Sequence, residues 1–435
     1  MAGGTFLVQN KVRAGAYINF RSGKQVSASA GDRGIAAVPL EIGFGPAGVL
    51  KEVTAETDVK KAFGYSADSP AMLPVRECAK RARTVLVYRL AEGAKASCTG
   101  GNLTATARYG GSRGNDLTVR VAAEGERFRV ETLLDGNVVD SQEAGEASEL
   151  AGNSWVEFSG SGALTAQAGM VLSGGNDGDA TAESYSGFFK ALETADFQTF
   201  ALPTTDSAVI REAVSFVKRM REDEGKKIQA VVAGYPQADT EGVISVKNGV
   251  RLEDGTELSA AQTTAYVAGM TAGAQVNESN TYGSYEGAAD VLERYSNSEI
   301  VAALQAGEWV FIPQGSGVVV EQDINTFTSY TEVKGKIFSK NRPIRVMDGL
   351  AADIKKLFEE RYLGKAGNSA DGRSLFKAEI LSYLQQLQEI GAIDGLDPAE
   401  DVEVLPGNEA DAVEVRLWLR PVDSMEKLYM TVEIQ

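Results

Sequence analysis

Apolar positions recur at helical spacing in the last quarter of the chain and then switch to alternation. Leu350, Ile354, Leu357, Phe358 and Tyr362 form one stripe, which predicts a helix capped by Asp348 and ended at Gly364. A second stripe, Leu375, Phe376, Ile380, Tyr383, Leu384, Leu387 and Ile390, predicts a helix between Asp371 and Gly391. The period then drops to two. Val413, Val415, Leu417 and Leu419 alternate with Glu414, Arg416, Trp418 and Arg420. Past a turn at 421–424, Leu428, Met430, Val432 and Ile434 alternate with Tyr429, Thr431 and Glu433. These runs predict a β-hairpin with one apolar face. A lone hairpin is marginal in water, and no polar run follows Ile434 to blunt a free edge. Two readings stay open here. Either a strand from elsewhere in the same molecule completes the sheet, or identical subunits exchange strands by β-addition.

Upstream, the pattern predicts strands at 35–42, 84–89, 197–202 and 228–232, and helices at 57–63, 71–82, 207–221, 259–273 and 298–306. The strand-helix-strand order implies parallel pairing. The 259–273 helix is rich in Ala, Thr and Gly and is expected to pack closely. A strand pair is expected from 309–312 and 317–320. Between 94 and 178, Gly, Ser and Thr rise and short alternating runs appear at 103–109, 117–121, 127–133 and 155–158, with an Asp135-Gly136 turn signal. Phe6, Leu7 and Val8 sit in a short apolar arm. The expected fold is a multidomain α+β / α/β chain. It has an N-terminal arm (1–20), an α/β middle domain (21–93 and 179–340), a peripheral inserted β-sandwich-like all-β domain (94–178) and a C-terminal helix-helix-β-hairpin domain (341–435).

Composition narrows the chemistry. The chain has 435 residues, 43% hydrophobic and 24% charged, which suits a globular protein of two to four domains. A net charge of −17 argues against nucleic acid as a partner. The absence of histidine removes Ser-His-Asp and Cys-His catalysis and His metal ligands. Cys78 and Cys98 have no metal spacing, and a reducing compartment is the simple reading. No signal peptide is expected at the N-terminus, and no apolar run is long enough for membrane insertion.

The remaining motifs favour structural readings. Gly43, Gly45 and Gly48 match G-x-G-x-x-G, but strand-like residues follow and Pro46 removes an N–H, so a turn outweighs a nucleotide site. The 174–179 stretch resembles half of one calcium β-roll repeat, and a flexible domain boundary is the preferred reading. The 110–116 run is read as a tight inter-strand loop rather than an anion cradle. Glu222, Asp223, Glu224, Glu359 and Glu360 read as solvated helix faces, although paired carboxylates keep an acidic glycosidase-like hydrolase as the rival class. No cofactor is expected.

In order along the chain, residues 13–20, 34–40, 45–48, 103–109, 113–115, 172–178, 280–282, 285–288, 318–326, 340–342 and 346–364 resemble the sheath proteins of contractile phage tails and phage-tail-like particles of Gram-positive hosts. Ala14 stands where that family often has Pro. The resemblance implies a subunit of stacked hexameric rings around a tail tube, assembled in the host bacterial cytoplasm, whose contraction drives the tube through a cell envelope. It implies self, the tube protein, and baseplate and tail terminator proteins as partners. It also implies that the arm carrying Phe6, Leu7 and Val8, and the strands carrying Val413 to Leu419 and Leu428 to Ile434, pair with neighbouring subunits. Lys355, Lys356 and Arg361, off the apolar stripe, are candidates to face the tube. Another tail component, such as tube or baseplate, is the alternative within this class.

Overall fold

The computed structural model describes residues 2–4, 15–17 and 33–434. Phe6, Leu7 and Val8 lie outside the described residues; residues 2–4 pair in parallel with 15–17. The centre of the molecule is a seven-stranded sheet. Its order is Glu308–Trp309, Val243–Val246, Gln229–Ala233, Thr199–Ala201, Ile35–Leu40, Thr84–Arg89 and Leu50–Val53. Neighbours are parallel except for the last strand, which runs antiparallel to Thr84–Arg89. A sheet covered on both faces needs near-continuous apolar strands, and Gln229–Ala233 and Val243–Val246 are buried at every position.

One face of the sheet packs on helices Ala182–Glu193 and Ser207–Glu222, through Phe188, Phe189, Phe200 and Phe216. The other face packs on Leu73–Ala79 and Ala260–Gly273. The small residues of the latter helix have the expected effect. A Cβ on Gly269 would lie 2.2 Å from the Cys78 carbonyl oxygen, so only glycine permits this approach. Trp309 departs from the expected strand pair. It joins Val243–Val246 in the central sheet, and only Phe311–Gln314 pairs with Gly317–Val320. Pro313 sits inside that ribbon, as proline can where a strand is an edge.

The 94–178 region folds as two facing sheets. One orders Asn137–Ala144, Arg127–Leu134, Leu117–Glu124 and Gln167–Val171; the other orders Val156–Gly160, Leu103–Ala107 and Ser97–Gly100. Leu117, Val119, Val121 and Val130 meet Leu103, Ala105 and Val156 between them. Asp135 and Gly136 both have positive φ, 52° and 76°, as a primed hairpin turn requires.

The root of this module is braced from several sides. Arg89, fully buried, donates to the Gly45 oxygen at 2.8 Å and the Gly110 oxygen at 2.6 Å. Phe44 inserts into the module core, edge-on to Tyr109 and stacked near Trp155. The Asp177 carboxylate accepts from the Ser112 amide at 2.6 Å and its hydroxyl at 2.9 Å. The 174–179 stretch is therefore a cross-braced joint, correcting the flexible boundary expected of it. Its Gly and Asp residues serve close approach and hydrogen bonding.

Candidate assembly surface

The C-terminal unit is held to the central sheet by buried charge. Helix Asn341–Arg361 starts earlier than expected, with Pro343 in its first turn, where a missing N–H costs little. Asp348 thus lies inside the helix and does not cap it. Its two carboxylate oxygens accept from both terminal nitrogens of Arg221 at 2.8 Å. One turn earlier, Arg345 pairs with Asp323, each 1% exposed. Asp323 also accepts from the Asn280 amide at 3.0 Å and the Asn341 side chain at 2.9 Å. Such a pair is strongly destabilised if one partner is removed.

Helix Ala370–Glu389 follows, capped by Ser369, whose hydroxyl accepts from the Gly372 amide. Phe376, Ile380, Tyr383, Leu384 and Leu387 pack against Leu357, Tyr362 and Val402. Tyr383 donates to Asp353 at 2.8 Å; burial and that carboxylate push its phenol well above the ordinary range. Burial, with Glu379 nearby, pushes the Tyr362 phenol up to about 12.

The hairpin forms, but from different strands. Val402–Pro406 pairs antiparallel with Val413–Leu417, in register Val402↔Leu417 and Val404↔Val415. Val413, Val415, Leu417 and Leu419 are half-buried on the helices. The 428–434 run does not return to them. The chain beyond Leu419 bridges at Pro421 to Ile393, and Glu426 is then held by Lys340, so the run points away from its expected partner. Leu428, Met430, Val432 and Ile434 are 86%, 74%, 69% and 95% exposed. Among the described residues this sheet has two strands, and an open ribbon edge is a template for a further strand.

The three cationic candidates separate. Arg361 pairs with Glu379 at 2.8 Å, between the two long helices. Lys355 donates to the Glu224 oxygen at 3.4 Å, and Lys356 lies 4.0 Å from Glu360. Lys355 and Lys356 line a cavity of about 540 Å³ with Lys226, Lys227, Asp348 and Glu359. Sequence reasoning missed the Arg345–Asp323 and Arg221–Asp348 pairs and the seat of Glu426. Each joins residues far apart in the chain, and only the apolar period was informative locally.

The hydrogen-bonding groups of the G-x-G-x-x-G loop are engaged within the protein: the Gly45 oxygen accepts from Arg89, the Gly48 amide donates to the Arg89 oxygen at 3.1 Å, and the Gly43 amide donates to the Tyr65 hydroxyl at 3.2 Å. Among the described residues the C-terminal unit thus carries a two-stranded sheet and an uncovered alternating apolar run. Sequence models of the phage tail sheath family match four consecutive stretches: the Gp18 domain III N-terminal region at 33–90, the β-sandwich domain at 91–177, the central domain at 178–326 and the C-terminal domain at 333–435. The chain belongs to the phage tail sheath protein family, a structural one. It is 37% identical to the phage-like element PBSX protein XkdK of Bacillus subtilis over the full length of both. The crystal structure of the sheath tail protein of Desulfitobacterium hafniense superposes with a TM-score of 0.87 at 48% identity, covering 97% of this chain and 100% of that one. The helical sheath of the anti-feeding prophage, solved in its contracted state, shares the fold at a TM-score of 0.60 and 15% identity, over 97% and 99% of the two chains. No described helix is long and apolar enough to cross a membrane.

Proposed function

We propose that this chain stacks as hexameric rings around a tail tube, joined to its neighbours by exchanged strands, and contracts to drive the tube through a cell envelope. The observation that carries the reading is the alternating apolar run at 428–434, exposed in a chain whose C-terminal sheet has only two strands among the described residues. Water does not favour a free apolar strand next to an open edge; a second copy satisfies both. About 5 backbone hydrogen bonds at ~1 kcal/mol each would join a seated arm. Covering Leu428, Met430, Val432 and Ile434 adds ~1.5–3 kcal/mol apiece. Association and ordering costs reduce this sum, yet such joints outlast the rotation of rigid bodies about them. The added strand joins the ribbon's edge and extends the apolar face that Val413, Val415, Leu417 and Leu419 lay on the helices, and the arm carrying Phe6, Leu7 and Val8 contributes a second exchanged segment.

Tube, baseplate and terminator proteins are the further partners, and assembly takes place in the host cytoplasm. Lys355 and Lys356 remain candidates to face the tube. Contraction uses energy stored in the extended lattice and no nucleotide. Purified particles should contract equally with and without ATP. The assembly reading is tested by deleting residues 428–435 and imaging the product by negative stain. A folded monomer without tubes is expected; tubes of normal appearance would overturn strand exchange.

A further inference from the structure

We propose that Glu426 is a latch that fixes the root of the exchanged arm and so sets how much chain is free to bridge two subunits. The proposal rests on the exchange reading above. Among the described residues, Glu426 is the last with a built seat. Its side chain is 10% exposed and pairs with Lys340, which is 14% exposed. Thr281 donates its hydroxyl to the Glu426 carboxylate at 2.8 Å, and the Gln322 side-chain amide donates at 3.3 Å. Ser424 adds a hydroxyl at 3.3 Å from its own side of the turn. Every described residue after Glu426 is exposed.

The seat is rigid because it is an extension of the buried polar hub. The Thr281 hydroxyl oxygen also accepts from the Asp323 amide at 2.9 Å, and Asp323 is the partner of Arg345. Lys340 bridges to Ile324 and immediately precedes the long helix. Tension along the arm therefore passes through one carboxylate into the body that carries the central sheet. It bypasses the two-stranded ribbon, which is thin and ill-suited to bear it.

The latch sets a length. From 427 to 434 the free chain spans about 25 Å at ~3.3 Å per residue. The next anchor upstream is the Val422 amide, which donates to the Ala392 oxygen at 3.0 Å. Opening the latch would release residues 423–426 and lengthen the free arm by roughly 13 Å. A longer tether still exchanges, but it no longer dictates the spacing of subunits.

The test uses the full chain with Glu426→Ala, Glu426→Gln and Lys340→Met, beside deletion of 428–435. Backbone NMR order parameters across 423–426 in the unassembled subunit and the axial repeat of assembled tubes are read together. Glu426→Ala should still polymerise, with order parameters across 423–426 falling from about 0.85 to below about 0.6 and a broadened repeat. Glu426→Gln keeps the Thr281 and Gln322 partners and should fall between it and the parent chain. Should Glu426→Ala fail to fold, Glu426→Gln and Lys340→Met carry the same readouts. Unchanged order parameters, or a drop with an unchanged repeat, overturns the latch. Failure of the exchange reading is separate: it shows as normal tubes from the 428–435 deletion, whatever the Glu426 variants do.

Discussion

Two segments are attached to the same central body in opposite ways. The β-module at 94–178 meets it through the buried Arg89, which donates to the Gly110 oxygen, through the inserted Phe44 ring, and through Arg113, which donates to the Gly64 oxygen at 2.9 Å. The C-terminal arm meets it through one carboxylate and then leaves into solvent. Multiple braces of different chemistry fix an orientation. A single polar seat fixes a position and leaves the direction free. Under the exchange reading, the module moves with the body and the arm reaches away from it.

The sharpest way to break this contrast is to spoil the arm while leaving its root intact. Leu428→Asp with Val432→Asp removes two apolar anchors and places charge in any sheet that receives them. Loss of joint stability on the order of 5 kcal/mol or more is expected. Sedimentation should then show subunits and short oligomers with an unchanged monomer melting curve. Next in size is the hub beneath the latch. Arg345→Met leaves Asp323 buried without its cation and should cost ~3–5 kcal/mol of stability by denaturant titration.

The module root is probed by Gly111→Ala. Gly111 has φ +142°, and a Cβ there would lie 1.9 Å from the Gly43 oxygen. A loss of at least ~1–3 kcal/mol is expected. Because the module is braced, its unfolding should stay coupled to that of the body rather than split off as a separate transition.

The smallest effect is at the surface. Arg113 holds Asp135 with a bidentate pair. That hydrogen bond keeps the Asp135 carboxyl below its usual range despite some burial. A carboxylate with a depressed folded value contributes stability above the unfolded value, near pH ~4, and loses it as pH falls through the folded one. Asp135→Asn should therefore cost under ~1 kcal/mol at neutral pH, screened by salt. The difference from the parent should vanish under more acidic conditions.

Much of this was legible from periodicity. The parallel strands, the amphipathic helix Ser207–Glu222, the inserted β-module and the second C-terminal helix follow from residues that are neighbours in sequence. The errors share one cause. Asp348 read as a cap because its partner, Arg221, is far away in the chain. Adjacency in sequence pairs the 413–419 run with 428–434, whereas the register Val402↔Leu417 depends on where helix Ala370–Glu389 deposits the chain. Adjacency likewise groups Trp309 with its neighbours, although Val243–Val246 claims it. The apolar alternation of Leu428, Met430, Val432 and Ile434 is independent of that pairing, and all four side chains are exposed.

A density map of tubes assembled from the full chain, at a resolution that traces the backbone, measures the central claim directly. Residues 428–434 should lie as an added strand on the Val402–Pro406 and Val413–Leu417 ribbon of a different subunit, with Glu426 still seated on Lys340 of its own. Residues 428–434 folded onto their own body, with no second copy touching them, would contradict the account.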